Sequence, residues 1–166
     1  MTESSPYHQI GRFVFLFQHA EAALTELLVL MADADDEFVR ILINELEYNK
    51  RVKTTDVMFA RFIDLRRQPD QNAKAEFHKL MTELLRLGER RNDIVHSKYM
   101  PWINIEGAAG LIRKNLKLKA SKGLRDVEEE GLLPAAFETD LERLSVSLKE
   151  LERFRLKVID WLYPLE

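Results

Sequence analysis

The chain has 166 residues, of which 46% are hydrophobic and 32% charged, with a formal net charge of −3 and no cysteine. This length and balance are typical of one folded domain, and they exclude a disordered chain, a collagen-like chain and a disulfide scaffold. Because the net charge is small, any binding of a polyanion must come from a local patch rather than from the overall field.

The apolar runs and the first residues bear on localisation. The longest uninterrupted apolar runs, Phe13 to Phe17 and Leu27 to Ala32, are shorter than the roughly 18 residues that a membrane span needs. Residues 1–6 carry an acid and two serines, which is unlike the basic and then apolar start of a signal peptide. A chain without cysteine is compatible with a reducing compartment. We expect a cytoplasmic protein with no membrane span.

Amphipathic helical patterns occupy most of the chain. Ser5 followed by Pro6 is typical of a helix start, because serine caps the first free N–H groups and proline suits the first helical position. The first helix then carries a regular apolar stripe of Ile10, Phe13, Phe17, Ala20, Leu24, Leu27 and Met31. Further helices are predicted over residues 35–63 with a possible break at 54–56, over residues 72–97, and from between 134 and 139 to before 164.

The stretch between the third and last of these helices holds four of the six glycines and is not helical. Apolar runs on both sides of Gly107 and Gly110 predict a β-hairpin over about residues 99–125. The acids at 128–130 are interpreted as a solvated turn. We therefore predict an all-α fold, a four- to five-helix bundle with a small β-hairpin inserted before the C-terminal helix, in a single domain over residues 1–166.

Polar residues interrupt the apolar pattern at the end of the third helix. Arg91 lies seven residues after Leu84 and therefore on nearly the same face, while Asn92 and His96 are four apart and share a neighbouring face. A buried arginine needs a partner. Glu21, on the apolar stripe of the first helix, is the predicted partner of Arg91. The alternative is a helix end whose polar groups only cap carbonyls and fix an interhelical contact.

The segment Arg91-Asn92-Asp93-Ile94-Val95-His96 resembles the motif of the HEPN superfamily, an arginine and a histidine separated by four to six residues. A helical bundle with an acid within its first helix, here Glu21, is similar to the HEPN arrangement as well. The resemblance covers roughly residues 7–163, with close matches only in the motif. Many HEPN members are metal-independent ribonucleases of the toxin or defence type, which act as homodimers with two motifs facing each other, whereas others have lost activity.

The resemblance implies a role for each motif residue. His96 would be the general acid or base at the ribose 2′-hydroxyl or the leaving oxygen, and Arg91 would stabilise the phosphate. Asn92 would orient the histidine or the substrate, with Glu21 and Asp93 as supporting residues. No cofactor is implied. The expected partners are a second copy, RNA, and an antitoxin or nucleotidyltransferase. The alternative is a catalytically inactive helical module that binds a protein or small ligand.

A basic stretch in the predicted hairpin points independently to a polyanion. If residues 111–118 form a strand, alternation places Arg113, Lys117 and Lys119 opposite Leu116 and Leu118, as a cationic ribbon that follows phosphates. The other interpretation is a solvated edge strand protected by lysines. The residues assigned to nucleic-acid binding are Arg113, Lys114, Lys117, Lys119, Lys122 and Arg125.

The remaining aromatic and histidine residues complete the candidates for a site. Tyr99 and Trp102 either stack bases or pack within the hairpin. His8, His19 and His78 show no spacing that pairs them on one helix face, and no cysteine accompanies them, so no metal site is predicted.

Overall fold

The computed structural model describes residues 5–66 and 70–164, so residues 1–4, part of the segment that we compared with a signal peptide, lie outside the described part. Two short 3₁₀ turns, Ala120–Lys122 and Pro134–Phe137, flank the last strand. In chain order the elements are α1 (Pro6–Ala32), α2 (Asp36–Asn44), α3 (Tyr48–Leu65), α4 (Gln71–Val95), β1 (Lys98–Ile103), β2 (Ala109–Lys119), β3 (Leu124–Leu132) and α5 (Glu138–Leu162).

Helix α1 begins where the sequence predicts and lies in the middle of the bundle. The Ser5 hydroxyl accepts a hydrogen bond from the His8 N–H at 3.3 Å, which caps the first turn. The predicted stripe is buried except for the partly exposed Ile10, and Leu28 and Val29 beside the stripe are buried as well. A helix that is apolar on more than one side needs several neighbours. Accordingly, α3, α4 and α5 all pack against it.

By length and composition alone, α1 is also apolar enough to cross a membrane. Its most apolar 18-residue window has a mean hydropathy of 1.5, and 39% of that window is buried inside the protein. The core helix of a soluble protein meets the same criteria. The expectation of no membrane span, which rested on uninterrupted apolar runs, therefore stays a prediction.

The second predicted helical region is divided, but not at residues 54–56. The break falls at residues 45–47, and α3 continues through the polar residues, where the Thr55 hydroxyl donates to the Arg51 carbonyl at 2.8 Å, one turn back. The apolar side chains of α2 are also placed differently from expectation. Ile43 is buried, whereas Phe38, Ile41 and Leu42 are 70%, 58% and 72% exposed.

Aromatic rings fill the core where α3, α4 and α5 meet. Phe59 and Phe77 stack with their centroids 4.0 Å apart, and the edge of Phe154 meets both rings. Trp161, near the end of α5, closes this cluster at 6.1 Å from Phe59. These contacts join three helices that are distant in sequence.

The all-α prediction is wrong, because the chain contains a three-stranded antiparallel sheet in the order β1-β2-β3 and is therefore a mixed α and β fold. The predicted hairpin corresponds to β1 and β2, but residues 124–132 add a third strand where we expected a solvated turn. The register explains the error. Glu130 lies opposite Arg113 and Glu129 opposite Lys114, so the acidic run is stabilised as a strand by cross-strand charge rather than by apolar alternation.

One face of the sheet packs on the bundle and the other is turned outward. Leu111, Leu132 and Arg113 are buried on the inner face, where the Tyr99 hydroxyl donates to the Ile94 carbonyl of α4 at 2.6 Å. On the outer face Trp102 covers Gly131, where an added Cβ would lie 3.2 Å from the indole ring. Both aromatic residues therefore pack within the protein, which was one of the two interpretations of each.

Candidate functional site

The end of α4 distributes the motif residues among three different surroundings. Successive residues of a helix point about 100° apart. As a result, Arg90, Asp93 and Ser97 face the sheet. Arg91 and Asn92 face α1 and the start of α3, and His96 lies at the helix end.

Arg91 lies at a small pocket and has only uncharged partners. Its Nη1 donates to Asn92 Oδ1 at 3.1 Å, and its guanidinium carbon lies 5.7 Å from the centroid of the Phe17 ring. Within residues 5–66 and 70–164, no carboxylate lies within 4.0 Å of Arg91. The predicted ion pair with Glu21 is therefore not formed, and the guanidinium keeps N–H donors available to a ligand.

The pocket beside Arg91 has a volume of about 220 Å³. Tyr48 forms one wall. Its ring contacts Phe17 at a centroid distance of 4.7 Å, and its hydroxyl donates to the Leu84 carbonyl at 2.8 Å. Gly88 makes this packing possible, because a Cβ there would lie 2.5 Å from Tyr48 Cε1. The lining residues are Phe17, Glu47, Tyr48, Asn49, Gly88, Arg91 and Asn92.

Tyr48 lies near both Glu21 and Arg91, the two residues that were predicted to form an ion pair. Burial raises the pKa of the Tyr48 hydroxyl far above its usual value, the negative charge of Glu21 raises it further, and the positive charge of Arg91 opposes the shift. Tyr48 therefore stays neutral at physiological pH, and its hydrogen bond to the Leu84 carbonyl fixes it as a wall of the pocket. Glu21 and Arg91 act on it from nearby without touching each other.

His96 is exposed and lies outside the pocket. It is the C-cap of α4, and its backbone N–H donates to the Asn92 carbonyl at 3.0 Å. In the part of the chain that the structure describes, the imidazole ring has no hydrogen-bond partner. Of the three predicted catalytic residues, the fold thus brings Arg91 and Asn92 together and leaves His96 beyond them within one protomer.

A buried ion network that the sequence did not predict lies next to this pocket. Arg90 Nε donates to Asp140 Oδ2 at 2.7 Å, and its two terminal nitrogens donate to Glu130 at 3.0 and 3.1 Å. Arg113 is 2% exposed and donates to the same Glu130 at 2.8 Å. We call Arg90, Arg113, Glu130 and Asp140 the sheet clamp, because they join β2 and β3 to α4 and α5.

Protonation in the sheet clamp follows from these hydrogen bonds. Burial opposes the charge of Arg90, but the hydrogen bonds that Arg90 donates to Glu130 and Asp140 outweigh this effect and raise the pKa of Arg90. For Glu130, burial acts to raise the pKa, yet the hydrogen bonds of Arg90 and Arg113 prevail and hold the pKa below its usual value. Arg90 and Glu130 are therefore both charged at neutral pH.

Asp93, predicted as a supporting residue of the site, holds the sheet instead. Its carboxylate accepts from Asn115 Nδ2 at 3.3 Å and pairs with Lys117 at 3.3 Å. Its backbone carbonyl accepts from the Ser97 hydroxyl and, at 3.5 Å, from Arg113. Asp93 therefore attaches the sheet to the bundle.

The acids of β3 neutralise most of the predicted basic ribbon. The expected alternation of β2 is present, but its Arg113 face is the inner one and Arg113 belongs to the sheet clamp. Lys114 pairs with Glu129 at 2.6 Å, and Lys117 also pairs with Glu128 at 3.1 Å. Lys119 pairs with Asp126. Among the described residues, Lys122 and Arg125 are the members of the predicted set without an ion pair.

Neither a metal site nor a known relative accompanies the pocket in the described ranges. In the two described ranges, no group of three or more histidine, aspartate or glutamate side chains is arranged to hold a metal ion, and His78 contacts a single acid, Asp56, at 2.6 Å. In comparisons with family models, curated proteins and solved structures, nothing matches this chain. The HEPN resemblance therefore rests on the sequence alone.

Proposed function

We propose that this protein is a HEPN-like, metal-independent RNA-binding and RNA-cleaving protein that acts as a homodimer. The observation that carries the proposal is the state of Arg91. Its neighbour Arg90 is neutralised by two carboxylates, whereas Arg91 has an amide and an aromatic ring as partners and borders an open pocket. An arginine without a carboxylate at a pocket is suited to bind the oxygens of a phosphate.

The proposed reaction is attack of a ribose 2′-hydroxyl on the adjacent phosphorus. A base removes the hydroxyl proton, the bond from phosphorus to the 5′-oxygen breaks, and an acid protonates that leaving oxygen. The products are a 2′,3′-cyclic phosphate and a 5′-hydroxyl. His96 is the proposed acid or base, since an imidazole titrates near neutral pH, and Arg91 stabilises the charge that develops on the phosphate. Asn92 orients Arg91 through their hydrogen bond.

The position of His96 favours a dimeric site. Within one protomer the ring lies outside the Arg91 pocket. A second copy whose motif faces the first would supply a histidine from the other side. Both catalytic groups are accessible for this, because the His96 side chain is exposed and Arg91 is half-buried.

The test is incubation of the purified protein with a mixed RNA pool in the presence of chelator. We expect cleavage by the wild type and loss of cleavage in Arg91→Ala and His96→Ala. Matched controls are Arg86→Ala and His78→Ala, which remove an exposed arginine and an exposed histidine elsewhere and should cleave normally. Circular dichroism verifies that all variants are folded. Cleavage that survives either motif substitution would contradict the assignment.

A second candidate is an RNA-binding or ligand-binding module without catalysis. The exclusion of His96 from the Arg91 pocket favours it, because no histidine is among the described residues that line the pocket. The same experiment separates the two. Binding that requires Arg91 but not His96, with no cleavage by the wild type, would establish the binding module.

A further inference from the structure

Helix α2 exposes an apolar stripe with an acidic border. Phe38, Ile41 and Leu42 lie at helical spacing on one face and are each more than half exposed. Asp36 and Glu37 stand at one end of the helix and Glu45 at the other. The basic residue of this helix, Arg40, is held by both carboxylate oxygens of Glu26, at 2.7 and 3.0 Å. The α2 stripe is therefore an apolar surface with a net negative border.

The outer face of the hairpin tip, residues 116–127, has the opposite border. Leu116 pairs across the strands with Val127 and Leu118 with Arg125, so these four side chains share the outward face. Leu116, Leu118 and Val127 are 46%, 78% and 57% exposed. Arg125 and the nearby Lys122 have no ion pair in the described ranges. An exposed antiparallel sheet face is ordinarily polar, and this one is apolar with free cations.

The total surface area shows that the chain leaves more surface exposed than a compact monomer does. Its accessible area is 10902 Å². A folded monomer of 19.5 kDa exposes about 8,500 Å² by the usual dependence of area on mass. The excess exceeds the roughly 800 Å² per partner that a standard protein interface buries. An interface of standard size therefore fits within this excess.

We propose that these two surfaces are the two halves of one self-association interface, in which the hairpin tip of one copy covers the α2 stripe of a second copy. Charge selects this arrangement. Two α2 stripes facing each other would bring acidic borders together, and two tips would bring cations together, whereas a tip on a stripe pairs opposite charges. If each copy gives its tip and receives the other, the contact is closed by two-fold symmetry and the assembly stops at a dimer.

The first test is sedimentation of the full chain over a range of concentrations. We expect a dimer for the wild type. Two double charge reversals, Glu37→Lys with Glu45→Lys and Lys122→Glu with Arg125→Glu, should each weaken the dimer at least tenfold. Combining all four should restore it, because the opposite charges are exchanged. The matched control reverses two exposed charges of α5, Glu142→Lys with Lys149→Glu, and should leave the dimer unchanged.

A cross-linking experiment tests the contact directly, since the chain has no cysteine of its own. Chains carrying Leu42→Cys are mixed with differently tagged chains carrying Leu118→Cys and treated with a short bis-maleimide. We expect heterodimers that join the two tags. Both positions are exposed, so the substitutions leave the core intact.

Four outcomes would overturn the proposal. In sedimentation these are a monomeric wild type, a dimer that neither double charge reversal weakens, and a fourfold variant that does not regain the dimer. In cross-linking it is a product that joins Leu42→Cys chains to each other. A loss of RNA binding in the Lys122 and Arg125 variant with its dimer intact would also overturn it, in favour of a nucleic-acid role for the tip. The inference rests on the homodimer of the proposed function and names the surfaces that form it. A monomer that still cleaves RNA would overturn the dimer but not the proposed cleavage, whereas a dimer with the expected charge dependence that cleaves no RNA would overturn the cleavage alone.

Discussion

Arg90 and Arg91 are neighbours in one helix and have opposite surroundings. Arg90 makes three hydrogen bonds to two carboxylates and is part of the sheet clamp. Arg91 makes one hydrogen bond to an amide and lies over a phenylalanine ring beside a pocket. A one-residue step on a helix thus separates a cation that is needed for folding from one that is available for binding. The contrast shows that an arginine has to be assigned by its partners: carboxylates mark Arg90 as structural, whereas an amide and an aromatic ring leave Arg91 able to bind a ligand.

The largest effect is expected from Glu130→Ala, which removes the shared acid of the sheet clamp. Arg90 and Arg113 are 18% and 2% exposed, so the substitution leaves two poorly solvated cations without their common partner. Breaking a buried ion pair on one side costs about 3 to 5 kcal/mol, and we expect about 3 kcal/mol or less because Glu130 is 35% exposed and Arg90 keeps Asp140 as a partner. Urea denaturation should show this loss in the free energy of unfolding. Glu129→Ala, which removes the exposed partner of Lys114, is the matched control and should cost less than about 1 kcal/mol.

A smaller effect is expected from Gly88→Ala at the pocket wall. The new Cβ would lie 2.5 Å from Tyr48 Cε1, so the ring has to move, at a cost of about 1 to 3 kcal/mol for overpacking. Gly11→Ala is the control, because nothing lies within 4 Å of a Cβ there. Its helix propensity should stabilise the protein by about 0.5 to 1 kcal/mol. Equal thermal shifts in both variants would show that Tyr48 does not pack on Gly88.

Acid should weaken the sheet clamp selectively. Because the folded-state pKa of Glu130 is lowered, its contribution to stability is fully present above the unfolded pKa of about 4.3 and is lost as the pH falls through the folded value. The stability of the wild type should therefore fall below about pH 4.3. In Glu130→Gln, this part of the decrease in unfolding free energy with falling pH should be absent. Parallel pH profiles for the two proteins would contradict the role of Glu130.

The smallest effect on stability is expected from Arg91→Ala. The substitution removes one hydrogen bond to an exposed amide and one cation–π contact, which together contribute about 1 kcal/mol or less at a half-exposed site. Thermal denaturation should thus place this variant close to the wild type, while RNA binding is lost. A large loss of stability would assign Arg91 to the structure of the bundle instead.

The helices could be predicted because their signals are local. Ser5 and Pro6 mark the start of α1, and its apolar stripe has the helical period, so both the start and the buried face are confirmed. The third strand could not be predicted in this way, since its stability depends on cross-strand pairs such as Glu129 with Lys114 that exist only in the folded register. The opposite charges of residues 111–125 and 126–130 are the signal that would have indicated it.

The sequence predicted that Arg91 and Asn92 lie together, but not the surroundings of the other candidate residues. The sequence placed Arg91 and Asn92 together, and the structure does so at one pocket. It also assigned Asp93 and Arg113 to the site or to nucleic acid, although both hold the sheet to the bundle. The reason is that a motif defines only the spacing of its residues along the chain. The partners of the side chains at the end of α4 come from β2, β3 and α5, where residues 113, 130 and 140 lie.

The two tryptophans of the chain lie on opposite sides of the sheet clamp and make convenient optical reporters. Trp102 lies on the outer face of the sheet over Gly131, and Trp161 lies in the helical core beside Phe59 and Phe62. Single-tryptophan versions of the protein would therefore emit from one module each. Coincident unfolding curves would mean that sheet and bundle melt as one cooperative unit, and an earlier change at Trp102 would mean that the sheet detaches first.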